Sequence, residues 1–141
     1  MSSNIDATDE NIIQILQVDS RKAFVDIAHD IGLSESAVRR RVKNLVDKNV
    51  IKRFTIELGI SDKTSAITLI SVASNADTSE VSDRLMKLKG VKVVYEITGQ
   101  YDIAAIITAP AIPDINRSID DIRKIDGVSD TDTVIILKTM H

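Results

Sequence analysis

Cysteine is absent from this 141-residue sequence, which excludes disulfide bonds and thiolate metal sites and gives no sign of an oxidising compartment. Aromatic residues are also scarce, with two Phe, two Tyr and no Trp. Proteins that bind RNA or single-stranded DNA usually stack bases on aromatic side chains, so this scarcity argues against that class. The sequence offers neither a basic segment leading into an apolar run at its start nor the ~20 apolar residues of a membrane span. We therefore expect a cytoplasmic protein that does not contact membranes.

Positive charge is concentrated in residues 34–53, SESAVRRRVKNLVDKNVIKR, where seven Lys and Arg face two acids in a chain of net charge −3. Ser34 is a good helix N-cap, because its hydroxyl can accept a hydrogen bond from a first-turn amide. Val38, Val42 and Leu45 then recur at the spacing of one helix face and define its buried side. The rest of this helix surface is polar and positive, which indicates binding to a polyanion.

A second amphipathic helix is predicted just upstream, from about Ala23 to Asp30, and Gly32 lies in the tight turn that follows. Two helices joined in this way, the second of them cationic, form the helix-turn-helix pattern, whose second helix fits the major groove of DNA. The sequence therefore predicts binding to double-stranded DNA, with a solvated charged helix of a small bundle as the alternative.

The candidate DNA-binding residues are Ser34, Ser36, Arg39, Arg40, Arg41 and Lys43. We expect Ser36, Arg39 and Arg40 at base edges, because the first turns of the second helix enter the groove. Arg41 and Lys43 are expected at phosphates, which long cationic side chains can reach.

Hydrophobic periodicity divides the chain into two domains and predicts an α+β fold. Residues 1–58 form the helix-turn-helix domain, in which the first helix spans about Thr8 to Val18 and residues 50–58, VIKRFTIEL, form a strand or short wing. Residues 59–63 are the predicted hinge, and residues 64–141 are the second domain. The second domain is predicted as strands over 64–74, 91–98, 102–109 and 131–140, with helices over 81–89 and 115–125.

The order βαββαβ predicts a four-stranded antiparallel sheet with both helices on one face, the ferredoxin-like arrangement. Such a sheet keeps its other face uncovered. Because that face would still carry apolar Ile, Val and Ala side chains, we expect a second copy of the chain to bury it.

Several segments carry a family resemblance that extends over essentially the whole chain. They are Ile5-Asp6-x-x-Asp9, GLSESAVRRRVKNLVDKNVIKRF (32–54), TGQYDIAAII (98–107) and GVSDTDTVIIL (127–137). Together they resemble the Lrp/AsnC family of bacterial and archaeal transcription regulators, the feast/famine regulatory proteins. The resemblance implies a homodimer built on the sheets, often assembled into an octamer, and a small-molecule effector, commonly an amino acid.

The resemblance also implies an effector site where the sensor domains of neighbouring dimers meet. Its residues here would be Gly99, Gln100, Tyr101, Asp102, Thr131 and Thr133. Amides of a turn can bind a carboxylate, and the Asp102 carboxylate can bind an ammonium group. The alternative is structural: Gly99 permits the hairpin, Tyr101 packs at an interface and Asp102 satisfies turn amides. The nearby acids Glu96, Asp130 and Asp132 suit either a basic effector or a solvated rim.

Two other classes of function compete with this interpretation. An enzyme is disfavoured, because His29 and His141 form no evident pair and the sequence has neither metal-ligand spacing nor a phosphate-binding glycine loop. We therefore expect no metal and no cofactor. An architectural DNA-binding protein without an effector would need the same basic helix, and it differs by its indifference to small molecules.

Overall fold

The computed structural model describes residues 5–59 and 62–140 in two compact units, Met1–Leu58 and Gly59–His141. Two residues of the predicted hinge, Ile60 and Ser61, lie outside the described residues, as do Met1–Asn4 and His141. Within the described ranges, none of the helices combines the length and the apolar character needed to cross a membrane.

Three helices form the first unit: α1 (Ala7–Val18), α2 (Phe24–Ile31) and α3 (Glu35–Asp47). Their core is built on the fully buried side chains of Ile12, Ile27 and Val38, one from each helix. Gly32 ends α2 with a φ of +70°, a conformation that glycine adopts without strain. At the start of α3 the Ser34 hydroxyl accepts a hydrogen bond from the Ala37 amide over 3.2 Å, which confirms the predicted N-cap.

The predicted wing over residues 50–58 is wrong, because the described residues between α3 and the next element form no strand. A strand requires a neighbour for its backbone groups, and none of the described residues of the first unit supplies one. The apolar side chains that suggested a strand face solvent instead, with Phe54 51%, Ile56 75% and Leu58 68% exposed. This segment therefore has the composition of a strand without a partner.

The second unit has the predicted order βαββαβ. Its elements are β1 (Thr64–Val72), α4 (Thr78–Met86), β2 (Val91–Glu96), β3 (Ile103–Ala109), α5 (Ile112–Arg123) and β4 (Val128–Ile136). The four strands lie in the order β2-β3-β1-β4 and every neighbouring pair is antiparallel. Both helices pack on one face of this sheet, where their apolar side chains join those of β1, β2 and β3 in a single core. The ferredoxin-like arrangement is therefore confirmed.

The face of the sheet opposite the helices carries the apolar residues expected there. At its centre Ile67 of β1 lies between Ile106 of β3 and Val134 of β4 in the strand register. Val134 is 51% exposed and Tyr95 is 53% exposed. We call this surface the open face; its apolar members are Ile67, Leu69, Val93, Tyr95, Ala104, Ile106, Val134 and Ile136.

Several predicted boundaries are shifted. Helix α4 begins earlier than predicted, because the Asp77 carboxylate accepts a hydrogen bond from the Glu80 amide and caps the helix there. Helix α5 also begins earlier and has Pro113 in its first turn, where proline is favoured. Strand β4 starts at Val128 and ends at Ile136, since Ser65 near the start of β1 is the last residue opposite it.

Candidate functional site

The outward side of α3 carries part of the predicted DNA-binding set. A helix turns about 100° per residue, so Ser36, Arg40 and Lys43 lie on the side opposite the buried stripe. Lys43 forms an ion pair with Asp47 one turn later. The Arg40 side chain is exposed and has neither a hydrogen bond nor an ion pair with any residue that the structure describes. Its guanidinium is therefore free to meet an incoming anion.

Arg41 lies on the flank of α3 that faces α1. Its guanidinium nitrogen Nη1 is 2.8 Å from a carboxylate oxygen of Asp6 and 2.8 Å from one of Asp9. A hydrogen bond from the Asp9 amide and the nearby Arg41 lower the pKa of Asp6 below its ordinary value, while the two carboxylates raise the pKa of Arg41. Arg41 thus ties the start of α1 to α3, and its phosphate contact stays a prediction.

Arg39 and the two serines near the N-terminus of α3 also have partners within the protein. Arg39 forms an ion pair with Glu35, and its guanidinium carbon lies 5.2 Å from the centre of the Phe24 ring. The hydroxyl oxygens of Ser34 and Ser36 are 3.2 Å apart and both side chains are exposed. The structure therefore brings the predicted DNA-binding residues onto one helix but gives them different surroundings.

In the second unit, the Gly-Gln-Tyr-Asp turn joins β2 to β3. Gly99 has a φ of +115°, which favours glycine, and no other group lies within 4 Å of where its Cβ would be. Asp102 is half-buried, and its carboxylate accepts a hydrogen bond from the Val72 amide over 2.8 Å. That contact lies where the pairing of β1 with β4 shifts register. Asp102 therefore supports the backbone at the end of β1, rather than the turn amides named in the structural alternative.

The predicted effector residues Tyr101, Thr131 and Thr133 do not share one side of the sheet. The Tyr101 hydroxyl donates to the Asp132 carboxylate over 3.3 Å, and burial together with the negative charge of Asp132 raises the pKa of Tyr101. In contrast, Thr131 accepts a hydrogen bond from Arg123 of α5, and the hydroxyl oxygens of Thr133 and the fully buried Thr68 are 3.0 Å apart. Tyr101 therefore contacts Asp132, while Thr131 and Thr133 contact the helix-covered side.

Sequence reasoning missed a cavity of about 600 Å³ beside the ends of β1 and β4. The loops before α4 and before β4 line it with Asn75, Asp77 and Asp126, and β4 adds Ser129. The Ser129 hydroxyl also donates to the Ser71 carbonyl over 3.0 Å. The residues that line this cavity come from two segments about 50 residues apart in the sequence, so no local sequence signal marks the cavity.

Comparison with known proteins gives two matches that together span most of the chain. Residues 5–46 match the AsnC-type helix-turn-helix domain and residues 65–141 match the Lrp/AsnC ligand binding domain. The HTH-type transcriptional regulator LysM of Saccharolobus solfataricus is 41% identical over 138 residues, which cover 98% of this chain and 97% of LysM.

Solved structures share the same fold. AsnC of E. coli superposes with a TM-score of 0.77 at 24% identity, covering 96% of this chain and 93% of AsnC. A transcriptional regulator of Neisseria meningitidis, solved in complex with L-Met, superposes with a TM-score of 0.80 at 23% identity, covering 96% and 92%. These two comparisons show the fold, whereas the matched domains and the 41% identity to LysM show the family. The chain belongs to the Lrp/AsnC family, as a DNA-binding transcriptional regulator with a ligand-binding domain.

Proposed function

We propose that this regulator binds operator DNA as a homodimer through α3 and that a small-molecule effector, an amino acid, changes its assembly towards an octamer. The observation that carries the proposal is the outward side of α3, where Arg40 is exposed without a partner among the described residues. An unpaired guanidinium can donate two parallel hydrogen bonds to guanine in the major groove. Ser36 and Arg39 are proposed at base edges beside it, with Arg41 and Lys43 at phosphates and Ser34 beginning the helix.

Arg40→Ala is expected to weaken binding to specific DNA by about 1 to 3 kcal/mol, roughly 5- to 150-fold, because a bidentate contact to guanine is lost. The measurement is fluorescence anisotropy with a duplex that the wild-type protein selects from a randomised library. Arg117→Ala is the matched control, since it removes the same charge from an exposed position in the second unit. Unchanged affinity in a folded Arg40→Ala protein would remove Arg40 from the contact list.

The homodimer is proposed on the open face. A surface centred on Ile67, Ile106 and Val134 is too apolar to remain in water, and a two-fold copy is its simplest cover. The exposed residues Phe54, Ile56 and Leu58 offer a further strand-like segment that could pair with the same segment of the second copy. A two-fold dimer presents two α3 helices, so its operator should be pseudo-palindromic with half-sites about one helical turn apart.

The effector site is proposed at the turn of residues 99–102 with the start of β4. Gly99, Gln100 and Tyr101 are exposed or partly exposed there, and Tyr101 already contacts Asp132. Thr131 and Thr133 are proposed to contribute from β4, where their hydroxyls contact Arg123 and Thr68 in the protein alone. An effector bound where two dimers meet favours the assembled state, because isolated dimers do not present the complete site. The larger assembly places more DNA-binding units on one stretch of DNA, which raises affinity through effective concentration.

Two variants of Asp102 separate effector binding from structural support. Asp102→Asn keeps an oxygen that can accept from the Val72 amide but removes the charge, whereas Asp102→Ala removes both. If the carboxylate binds an effector ammonium, both variants should lose the effector's influence on assembly while the dimer still binds one operator. The measurements are calorimetry of the wild-type protein against the twenty amino acids, including lysine and arginine, and light scattering of each variant with the amino acid identified.

Each other outcome of this experiment has a clear meaning. Normal reassembly of both variants would refute the proposed role of Asp102. Loss in Asp102→Ala alone would assign Asp102 to the fold rather than to the effector. If none of the twenty amino acids binds the wild-type protein or changes its assembly, the protein is an architectural DNA-binding protein or takes another class of effector.

A further inference from the structure

Arg39 is held from two directions by neighbours on different helices. Its guanidinium carbon lies 5.2 Å from the centre of the Phe24 ring, within the distance at which a cation is attracted to an aromatic face. Phe24 is the first residue of α2 and packs on the core of the first unit. The Glu35 carboxylate, one turn earlier on α3, accepts a hydrogen bond from Nη2 of Arg39. Arg39 therefore has two contacts within the protein that orient its guanidinium.

The other cations of α3 have different surroundings. The Arg40 side chain is exposed and unpaired among the described residues, Arg41 is bound to carboxylates of the N-cap and first turn of α1, and Lys43 pairs with Asp47. Within the described ranges, Arg39 alone on this helix combines an aromatic neighbour with an ion pair. A guanidinium has five N–H donors, and the contact with Glu35 engages Nη2. Donors for a base edge therefore remain.

We propose that Phe24 and Glu35 are positioning residues that hold the Arg39 guanidinium ready for one base pair and so raise the sequence selectivity of the regulator. This inference rests on the proposed binding of DNA through α3. Fixing a flexible side chain before binding lowers the entropy that is lost on contact, and a planar guanidinium on a ring keeps the orientation that bidentate recognition requires. Glu35 contributes in the same way, and its own negative charge is balanced by Arg39 when DNA approaches.

Phe24→Leu tests the aromatic contact, because leucine keeps an apolar side chain on the core but presents no ring. The probes are the duplex selected by the wild-type protein and sonicated genomic DNA, and selectivity is the ratio of the two affinities. Loss of an exposed cation–π contact should reduce this ratio about two- to five-fold. Single base-pair changes across the selected duplex should locate the loss at the same base pair that Arg39→Ala affects. Phe24→Tyr keeps an aromatic ring and should therefore retain the selectivity of the wild-type protein.

A double-mutant comparison separates positioning from general damage to the unit. In an Arg39→Ala protein, Phe24→Leu should cause no further loss of selectivity, because the side chain that it positions is gone. In an Arg40→Ala protein, which serves as the matched control, Phe24→Leu should keep its full effect. Equal effects in both backgrounds would overturn the proposal. Circular dichroism of each variant verifies that α1, α2 and α3 remain folded.

Glu35→Gln supplies an independent test, because it should change affinity for DNA and selectivity in opposite directions. Removing a negative charge beside DNA should raise affinity for genomic DNA, while the loss of the ion pair should lower selectivity. A uniform change for both duplexes would assign Arg39 to phosphate binding and overturn the proposal. If the wild-type protein selects no DNA sequence, the proposed function fails. If it selects a sequence and Phe24→Leu retains the same selectivity for it, only the positioning role fails.

Discussion

An Ile67→Asp protein is expected to be a folded monomer whose specific binding to DNA is lost. Ile67 lies at the centre of the open face, between Ile106 and Val134. In a two-fold dimer each interface would bury two such carboxylates, and each costs several kcal/mol when it is buried without a partner. We expect the dimer dissociation constant to rise by at least about a thousand-fold. Sedimentation equilibrium measures it directly.

Loss of the dimer also removes the second DNA contact. A monomer presents one α3 helix, and the second half-site no longer adds its effective concentration, so affinity for a paired operator should fall by about 10² to 10⁴. Ile67→Val is the matched control, because it keeps the site apolar and should change neither quantity appreciably. If Ile67→Asp remained dimeric at the same concentration, the open face could not be the dimer interface.

Gly127→Ala is expected to cause a large loss of stability in the second unit. Gly127 has a φ of +97°, which costs other residues about 1 to 3 kcal/mol. An added Cβ would also lie 2.9 Å from the Cβ of Ala76 and 3.0 Å from a methyl group of Val81. Crowding of this kind costs about another 1 to 3 kcal/mol. Together these are a large part of the 5 to 15 kcal/mol by which domains are typically stable.

Gly99→Ala is the control for this measurement. Its φ of +115° is equally unfavourable for alanine, but no other group lies within 4 Å of the added Cβ. The difference between the two variants therefore isolates the crowding around Gly127. Tyr95 and Tyr101 both lie in the second unit and the chain has no Trp, so tyrosine fluorescence during urea unfolding reports on that unit. Equal losses in the two variants would show that Ala76 and Val81 move aside freely.

Local sequence patterns were sufficient for the order and type of most elements. The spacing of Val38, Val42 and Leu45 and the N-cap at Ser34 placed α3, because both signals act within a few residues. The order of strand-like and helix-like segments, βαββαβ, predicted the sheet. The strand or wing predicted over residues 50–58 was wrong, because strand composition does not reveal whether a partner strand exists. The predicted ends of β4 were also wrong, since they depend on which residues of β1 lie opposite.

The candidate site was less predictable, because its details depend on residues far apart in the chain. The sequence could not show that Arg41 is paired within the protein, since its partners Asp6 and Asp9 precede it by more than 30 residues. The sequence left Asp102 with either an effector-binding or a structural role, and its contact with the Val72 amide becomes visible only in the folded chain. The ring of Phe24 beside Arg39 likewise depends on how α2 crosses α3.

The position of β4 at the edge of the sheet gives its aspartates a consequence for solubility. An edge strand exposes unpaired backbone groups that can recruit a strand from another molecule, and charged side chains discourage this pairing. Asp130 and Asp132 are both exposed on β4, which has β1 as its one neighbour in the sheet. These carboxylates therefore protect the edge from aggregation whatever the effector proves to be. Removing them together would expose a Thr- and Ile-rich edge, TxTVII, with few charges to keep it soluble.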